Sequence, residues 1–227
     1  MANVGVAIPA AGIGRRMGGI RKPFLELAGK PVLFRSMAPF LDHPRVVAVA
    51  VALGSEDRDE PPDWLARLSP RVRLVEGGST RGESVRHALD ALADSVEIVA
   101  IHDAARPLLT REIVDRCLAA VRPGRGAVAG WPAVDTLKEV EVGDRIVGTP
   151  DRGRIWHAHT PQVFPIGLAQ EAYRRAEEDG VTNTDDSALV ERIGGEVVMV
   201  PGSRFNLKIT TPEDLAVAEL LVAGGAH

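Results

Sequence analysis

The sequence predicts an α/β fold, a wound and mostly parallel sheet with helices on both faces. Three observations carry this. Short β-branched runs alternate with helical patterns through the first 130 residues. The runs are too apolar to leave one face in water, which argues parallel strands covered on both sides. Each run also ends in Gly, Asp or small residues, where ligands gather at the carboxyl edge of such sheets.

The elements follow in order. "VGVAIPA" (4–10) opens as a strand, and "PVLFRSMAPFL" (31–41) has helical spacing. "VVAVAVAL" (46–53) and "VRLVEGG" (72–78) read as strands on either side of the helical "PPDWLARL" (61–68). "TRGESVRHALDALA", "VEIVAIHD", "TREIVDRCLAAV" and "GAVAGWP" continue the alternation. Around 133–152 the rhythm changes: "AVDTLKEVEVGDRIVGTPDR" alternates apolar and polar residues on both sides of "GDR", a hairpin signature. A protruding hairpin of this kind covers a partner subunit or a ligand. After "IWHAHTPQVF" come two helices, a strand "EVVMVPG" and a final helix opened by "TTPEDL". That helix has Thr211 as N-cap, Pro212 at its first position and Asp214 three residues after the cap. With no repeat and no linker, residues 1–227 form one predicted domain carrying an arm at about 133–152.

Composition narrows the class. A net charge of −4 gives no global field for a polyanion, so nucleic acid is not an expected partner and local positive charge is site chemistry. No apolar stretch approaches the ~18 residues of a membrane span, and no leader pattern opens the chain. Cys117, the single cysteine, falls on the apolar stripe of its helix, which predicts a packed thiol in a reducing, cytoplasmic compartment.

The loop "PAAGIGRRMGGIRKPF" (9–24) asks which anion it holds. Gly12, Gly14 and Gly18 let the backbone approach a ligand and aim its amides at it. Their spacing, G-x-G-x-x-x-G, is neither the dinucleotide fingerprint nor a P-loop, and no acid closes the second strand. Arg15, Arg16 and Lys22 suit a triphosphate being cleaved, where charge grows on the leaving group. On spacing alone, a solvated cationic helix face remains the alternative. The four glycines of "GIGRRMGG" predict a loop that is mobile without nucleotide.

Further motifs decide between these. "PAAGIGRRMG", "GGSTRGESV", "VAIHDAARPL", "VDTLKEV", "TPQVF", "TDDSALVERIGG" and "NLKITTPEDL", in this order along essentially the whole chain, resemble the 2-C-methyl-D-erythritol 4-phosphate cytidylyltransferases of non-mevalonate isoprenoid biosynthesis. The resemblance implies attack by the phosphate of methylerythritol phosphate on the α-phosphorus of CTP, with Mg²⁺ required and pyrophosphate released. It implies that Arg16 and Lys22 stabilise the transition state and that Arg152 and Lys208 position the acceptor phosphate. Ala10, Ala11, Gly12 and Gly14 would lie against the nucleotide, with Gly78 and Ser84 at the cytosine. Asp103, Arg106, Thr136 and Thr160 would line the acceptor pocket. The arm would embrace a second copy, so that Thr136 and Arg106 act across a homodimer interface. The family's P-K-Q is here Arg21-Lys22-Pro23, and the proline biases Lys22 toward extended backbone, with Arg21 as a substitute cation.

The residues agree with this chemistry. A phosphomonoester with a second pKa near ~6 is already ionised at neutral pH, so no general base is needed. Asp103, at the end of "VEIVAI", is expected to hydrogen-bond a ligand rather than hold Mg²⁺ directly. His157 and His159 read as a polar strand face and not as a metal pair. Asp185 and Asp186 read first as helix caps and second as support near the site. Ser79 and Thr80 read as caps, and Gly77-Gly78 as room for a base against the backbone. The nearest rival acceptor is another polyol phosphate such as ribitol 5-phosphate, with Ala105 favouring methylerythritol phosphate.

Overall fold

A computed structural model of the chain describes residues 2–12, 21–181 and 185–225. From the amino end, β1 (Val4–Pro9) leads to a 3₁₀ turn at Lys22–Phe24, the short pair β2 (Glu26–Leu27) and β3 (Lys30–Pro31), and α1 (Val32–Leu41). β4 (Val46–Leu53), the short α2 (Ser55–Asp59) and α3 (Asp63–Ala66), β5 (Val72–Glu76) and α4 (Arg81–Leu92) follow. Then come β6 (Ile98–Ile101), α5 (Arg111–Ala120), β7 (Arg125–Pro132), and the arm strands β8 (Glu139–Val140) and β9 (Ile146–Gly148). β10 (Trp156–Pro165), α6 (Ile166–Glu178), α7 (Asp186–Arg192), β11 (Glu196–Pro201) and α8 (Pro212–Ala223) complete the chain.

Seven strands form one sheet in the order β11-β7-β10-β6-β1-β4-β5. β10 runs antiparallel to both neighbours, and every other pairing is parallel. The predicted mostly parallel sheet is what forms. From β1 the chain winds outward to β4 and β5, then crosses back to β6 on the other side of β1. This reversal opens a crevice at the carboxyl ends of β1 and β6, the place where open α/β sheets bind ligands.

Strand periodicity sorts the core into two faces. Val4, Val6 and Ile8 of β1 and Val49, Val51 and Leu53 of β4 pack with Leu33, Met37 and Phe40 of α1 and Ile113, Val114 and Cys117 of α5. Ala7, Ala48 and Ala50 face the other way, against Val85, Ala88, Leu89 and Leu92 of α4 and the apolar stripe of α6. The small side chains on this second face bring α4 close to the sheet. A Cβ on Gly5 would meet Val96 and Leu92 side-chain atoms at 3.0–3.2 Å. Burial pushes the Cys117 thiol up to about 12, so it packs as a small apolar group.

The arm forms as a hairpin whose turn has positive φ at Gly143 (89°) and Asp144 (60°), residue types that tolerate it. Val134, Val140, Val142, Ile146 and Val147 on this segment are all at least half exposed. One expectation needed extension: α2, "SEDRD", has no buried residue and so no periodicity to betray it.

Candidate active site

Loops from three strands converge at the crevice. A cavity of about 600 Å³ opens there, between the segment after β1, the segment after β6 and the start of α4. Ala10, Ala11 and Gly12 form one wall, with Lys22 beside them. Gly78 and Ser84 form the second wall, Asp103 the floor, and Lys208 reaches in from the segment before α8. Gly14 and Arg16, with the expected mobility of their loop, lie outside the described residues.

The start of α4 is held by a full capping box. Thr80 Oγ1 accepts from the Glu83 amide at 3.1 Å, and Glu83 returns to the Thr80 amide at 3.2 Å. The same carboxylate accepts from the amide and hydroxyl of Ser79, at 2.6 and 2.7 Å. These bonds, led by the Ser79 hydroxyl, lower the pKa of Glu83. Ser84 Oγ accepts from the Gly78 amide at 3.1 Å, so it braces the turn as well as lining the cavity. The glycine pair has a packing reason of its own. A Cβ on Gly77 would stand 2.4 Å from Ala11 Cβ, and one on Gly78 2.1 Å from Glu83 Cβ. No base is needed to explain them.

Asp103 is the electrostatic centre. Its carboxylate meets Arg81 Nε at 3.1 Å, Arg106 Nε at 3.3 Å and Lys208 Nζ at 2.9 Å. Burial alone would raise this carboxyl; Arg81, Lys208 and Arg106 more than offset it and hold it well below the usual carboxylate range. Behind it, the Asp103 amide donates to Thr160 Oγ1 at 3.0 Å, and Thr160 Oγ1 lies 2.9 Å from His102 Nδ1. His102 Nε2 is 3.2 Å from the Arg106 carbonyl, which can only accept. Nε2 therefore carries a proton, and in the neutral ring that burial favours the Thr160 hydroxyl donates to Nδ1. Complete burial drives the His102 pKa down to about 4, against the attraction of Asp103. Asn206 ties the far side, donating Nδ2 to the Thr160 carbonyl at 2.8 Å while its own backbone carbonyl accepts from Arg106 at 2.8 Å.

Four predicted site residues lie off this cavity wall, two behind it and two on the arm that is expected to reach a second copy. Thr160 and Arg106 do not line the cavity: Thr160 is buried and Arg106 largely so, and both hold Asp103 in place from behind. Arg152 and Thr136 belong to the arm and are exposed, Arg152 donating to the Val134 carbonyl at 2.7 Å. The chain's own fold does not bring them to the cavity wall. Lys22 does reach the wall despite Pro23. The proline fits a 3₁₀ turn in place of the extended backbone expected, because its missing N–H is unneeded at a helix start. Lys22 Nζ donates to the Thr210 carbonyl at 3.0 Å. Arg21 is no substitute, since it pairs with Glu56 and Asp57 at α2.

Arg81 was not foreseen as a site residue, yet a signal existed. It occupies the first helical position of α4, where the helix dipole disfavours a cation unless an acid compensates. That acid is Asp186, bidentate to Arg81 at 2.7 and 2.8 Å. Asp185 caps α7 as expected, accepting from the Ala188 amide at 3.3 Å. Asp186 takes the second reading, buried support for the site. His157 is exposed and His159 half-buried, with the His159 pKa lowered to about 4 by burial and then by Arg106 and His157.

As for a metal, every carboxylate oxygen of Asp103 already faces a cation, and the described residues contain no cluster of three His, Cys, Asp or Glu side chains. The described site thus does not fit a protein-held divalent ion.

The family model of 2-C-methyl-D-erythritol 4-phosphate cytidylyltransferase (IspD) matches residues 4–224. The chain belongs to this family. It is 44% identical over 221 residues to the cytidylyltransferase of that name from Symbiobacterium thermophilum, covering 96% of this chain and 92% of the relative. A second such relative, from Solibacter usitatus, is 39% identical over 232 residues, with 96% and 95% covered. The crystal structure of the enzyme from Thermus thermophilus superposes with a TM-score of 0.81 at 34% identity, covering 98% of both chains. That of the 4-diphosphocytidyl-2C-methyl-D-erythritol synthase from Anaerococcus prevotii gives 0.87 at 28% identity, over 97% and 96%. Family membership gives the unusual loop spacing its setting: the glycine segment after β1 belongs to a nucleotidyltransferase.

Proposed function

We infer that this chain transfers the cytidylyl group of CTP to 2-C-methyl-D-erythritol 4-phosphate, giving 4-diphosphocytidyl-2-C-methylerythritol and pyrophosphate in isoprenoid precursor synthesis. Membership of the cytidylyltransferase family over residues 4–224 carries the activity. The cavity that gathers Ala10–Gly12, Lys22, Asp103 and Lys208 at the strand crossover supports locating it there.

In the proposed reaction an oxygen of the acceptor phosphate attacks the α-phosphorus of CTP, and the bond from that phosphorus to the bridging oxygen of the β-phosphate breaks. Pyrophosphate leaves with the electron pair. The nucleophile is already anionic, so the cavity needs no base; the work is bringing two anions together. Lys22, on the wall beside Gly12, acts with Arg16 on the charge that grows on the leaving group. Lys208 meets the acceptor phosphate, together with Arg152 of the arm. Arginine supplies a planar fork and lysine a point charge, which suits orientation combined with neutralisation. Ala10 to Gly14 lie along the nucleotide, and Gly78 and Ser84 meet the cytosine. Asp103 accepts from substrate hydroxyls, Arg106 and Thr160 hold it, and Thr136 completes the acceptor side. Asp103 is committed to its three cations, so Mg²⁺, if bound with the triphosphate, would supply charge neutralisation there without a carboxylate from the described site.

The apolar, exposed arm supports a homodimer in which Arg152 and Thr136 reach a partner's cavity. Val140→Asp with Ile146→Asp should then shift the sedimentation coefficient from dimer to monomer. No helix among the described residues is long and apolar enough to cross a membrane. The free, buried Cys117 fits a reducing, cytoplasmic setting.

The acceptor is tested by incubating the protein with CTP, Mg²⁺ and either methylerythritol phosphate or ribitol 5-phosphate. Turnover is expected with the first. Turnover with ribitol phosphate alone would overturn the assignment.

A further inference from the structure

Arg81 is a bridge between two carboxylates. Its Nε lies 3.1 Å from Asp103, on the cavity floor, and its two terminal nitrogens lie 2.7 and 2.8 Å from Asp186. Asp186 does not touch the cavity and is 1% exposed. The buried Tyr173 hydroxyl of α6 donates to the same carboxylate. Asp186 is itself fixed, because Gln162 Oε1 accepts from the Ser187 amide at 2.7 Å and Gln162 Nε2 donates to Asp185. Two residues earlier on β10, Thr160 holds the Asp103 amide. Asp103 is thus gripped from both ends by groups that trace back to one stretch of β10.

We propose that Asp186 is a positioning residue for cytidylyl transfer: with Tyr173 and Gln162 it anchors Arg81, so that Arg81 stays on Asp103 and does not turn to the incoming triphosphate. This rests on the reading of the cavity as a CTP site. The physical reason is competition. An arginine on the wall of a cavity that admits a highly charged anion is drawn to that anion unless a fixed acid holds it. If released, its fork would clamp the triphosphate in the ground state and leave Asp103 without its bridge, binding nucleotide well but not productively. A planar guanidinium suits the anchored role, since one side can serve Asp186 bidentately while the Nε edge serves Asp103.

The test compares Asp186→Asn in the wild-type and Asp103→Asn backgrounds, with kcat and KM for CTP measured at saturating methylerythritol phosphate. The expected result is a fall in kcat of about ten-fold or more with KM for CTP unchanged or lowered, the pattern left when tighter ground-state binding replaces productive geometry. In the Asp103→Asn background the same change should cost less than about two-fold, because the two residues act through one bridge. An unchanged kcat, a raised KM for CTP, or an equal loss in both backgrounds would overturn the proposal. Should Asp186→Asn fail to fold, Tyr173→Phe takes its place: a several-fold fall in kcat confined to the wild-type background supports the anchor, and no fall or an equal fall overturns it. Wild-type turnover in the same assay separates this result from the assignment of the reaction itself, which fails only if the unaltered protein forms no product.

Discussion

Lowering the pH from about 7 to about 4.5 should cost the fold about 2 kcal/mol at His102 alone, worked from its two pKa values by proton linkage. The ring is fully buried between Thr160 and the Arg106 carbonyl, and its folded pKa is about 4. In the unfolded chain the value returns to about 6.5. Because the folded pKa is depressed, the unfolded state binds the proton first on acidification. Stability is therefore intact above about 6.5 and is lost progressively between there and about 4. Relative to about pH 7, linkage gives a loss of about 1 kcal/mol by about pH 5.5 and about 2 kcal/mol by about pH 4.5. Urea denaturation of the wild type and of His102→Gln at about pH 7, 5.5 and 4.5 isolates this share from that of the other histidines. The variant should begin less stable and decline more shallowly, the two curves drawing together by about 2 kcal/mol at about pH 4.5. Parallel declines would refute the neutral, buried imidazole and the hydrogen-bond chain built on it.

Further outcomes follow from the same geometry. Lys22→Ala should lower turnover on the order of 10²–10³-fold with little change in melting temperature, since the group acts on developing charge; steady-state kinetics and calorimetry check both parts. Gly78→Ala should disrupt the capping box, because its Cβ would fall 2.1 Å from Glu83 Cβ, and a drop in thermal midpoint with weakened CTP binding is expected. Phe164→Ala, at a fully buried β10 position, should cost about 3–5 kcal/mol in urea unfolding.

Much of the fold was legible because strand periodicity leaves a direct trace. Val4, Val6 and Ile8 against Gly5 and Ala7 already separate the two faces of the sheet, and Thr211-Pro212-Asp214 spells out a helix start that the structure completes as a capping box. The turn at Gly143-Asp144 was equally plain. The sequence did not disclose which cations converge. Arg81 and Asp186 are 105 residues apart, and no local pattern encodes an ion pair across that distance. Thr160 and Arg106 were legible as site motifs but not as groups behind the wall, because motif spacing gives a position along the chain and says nothing of which way a side chain faces. Pro23 misled for a related reason: the general bias it imposes on the preceding residue gave way to a 3₁₀ turn that delivers Lys22 to the cavity.

In the proposed reaction the acceptor phosphate attacks the α-phosphorus of CTP. Methylerythritol phosphate carrying ¹⁸O in its three non-bridging phosphate positions tests it most directly, with product and pyrophosphate analysed by mass spectrometry. All three labels should appear in the diphosphate of the cytidylyl product, and none in pyrophosphate. Label in the pyrophosphate, or no labelled cytidylyl product, would rule out this route.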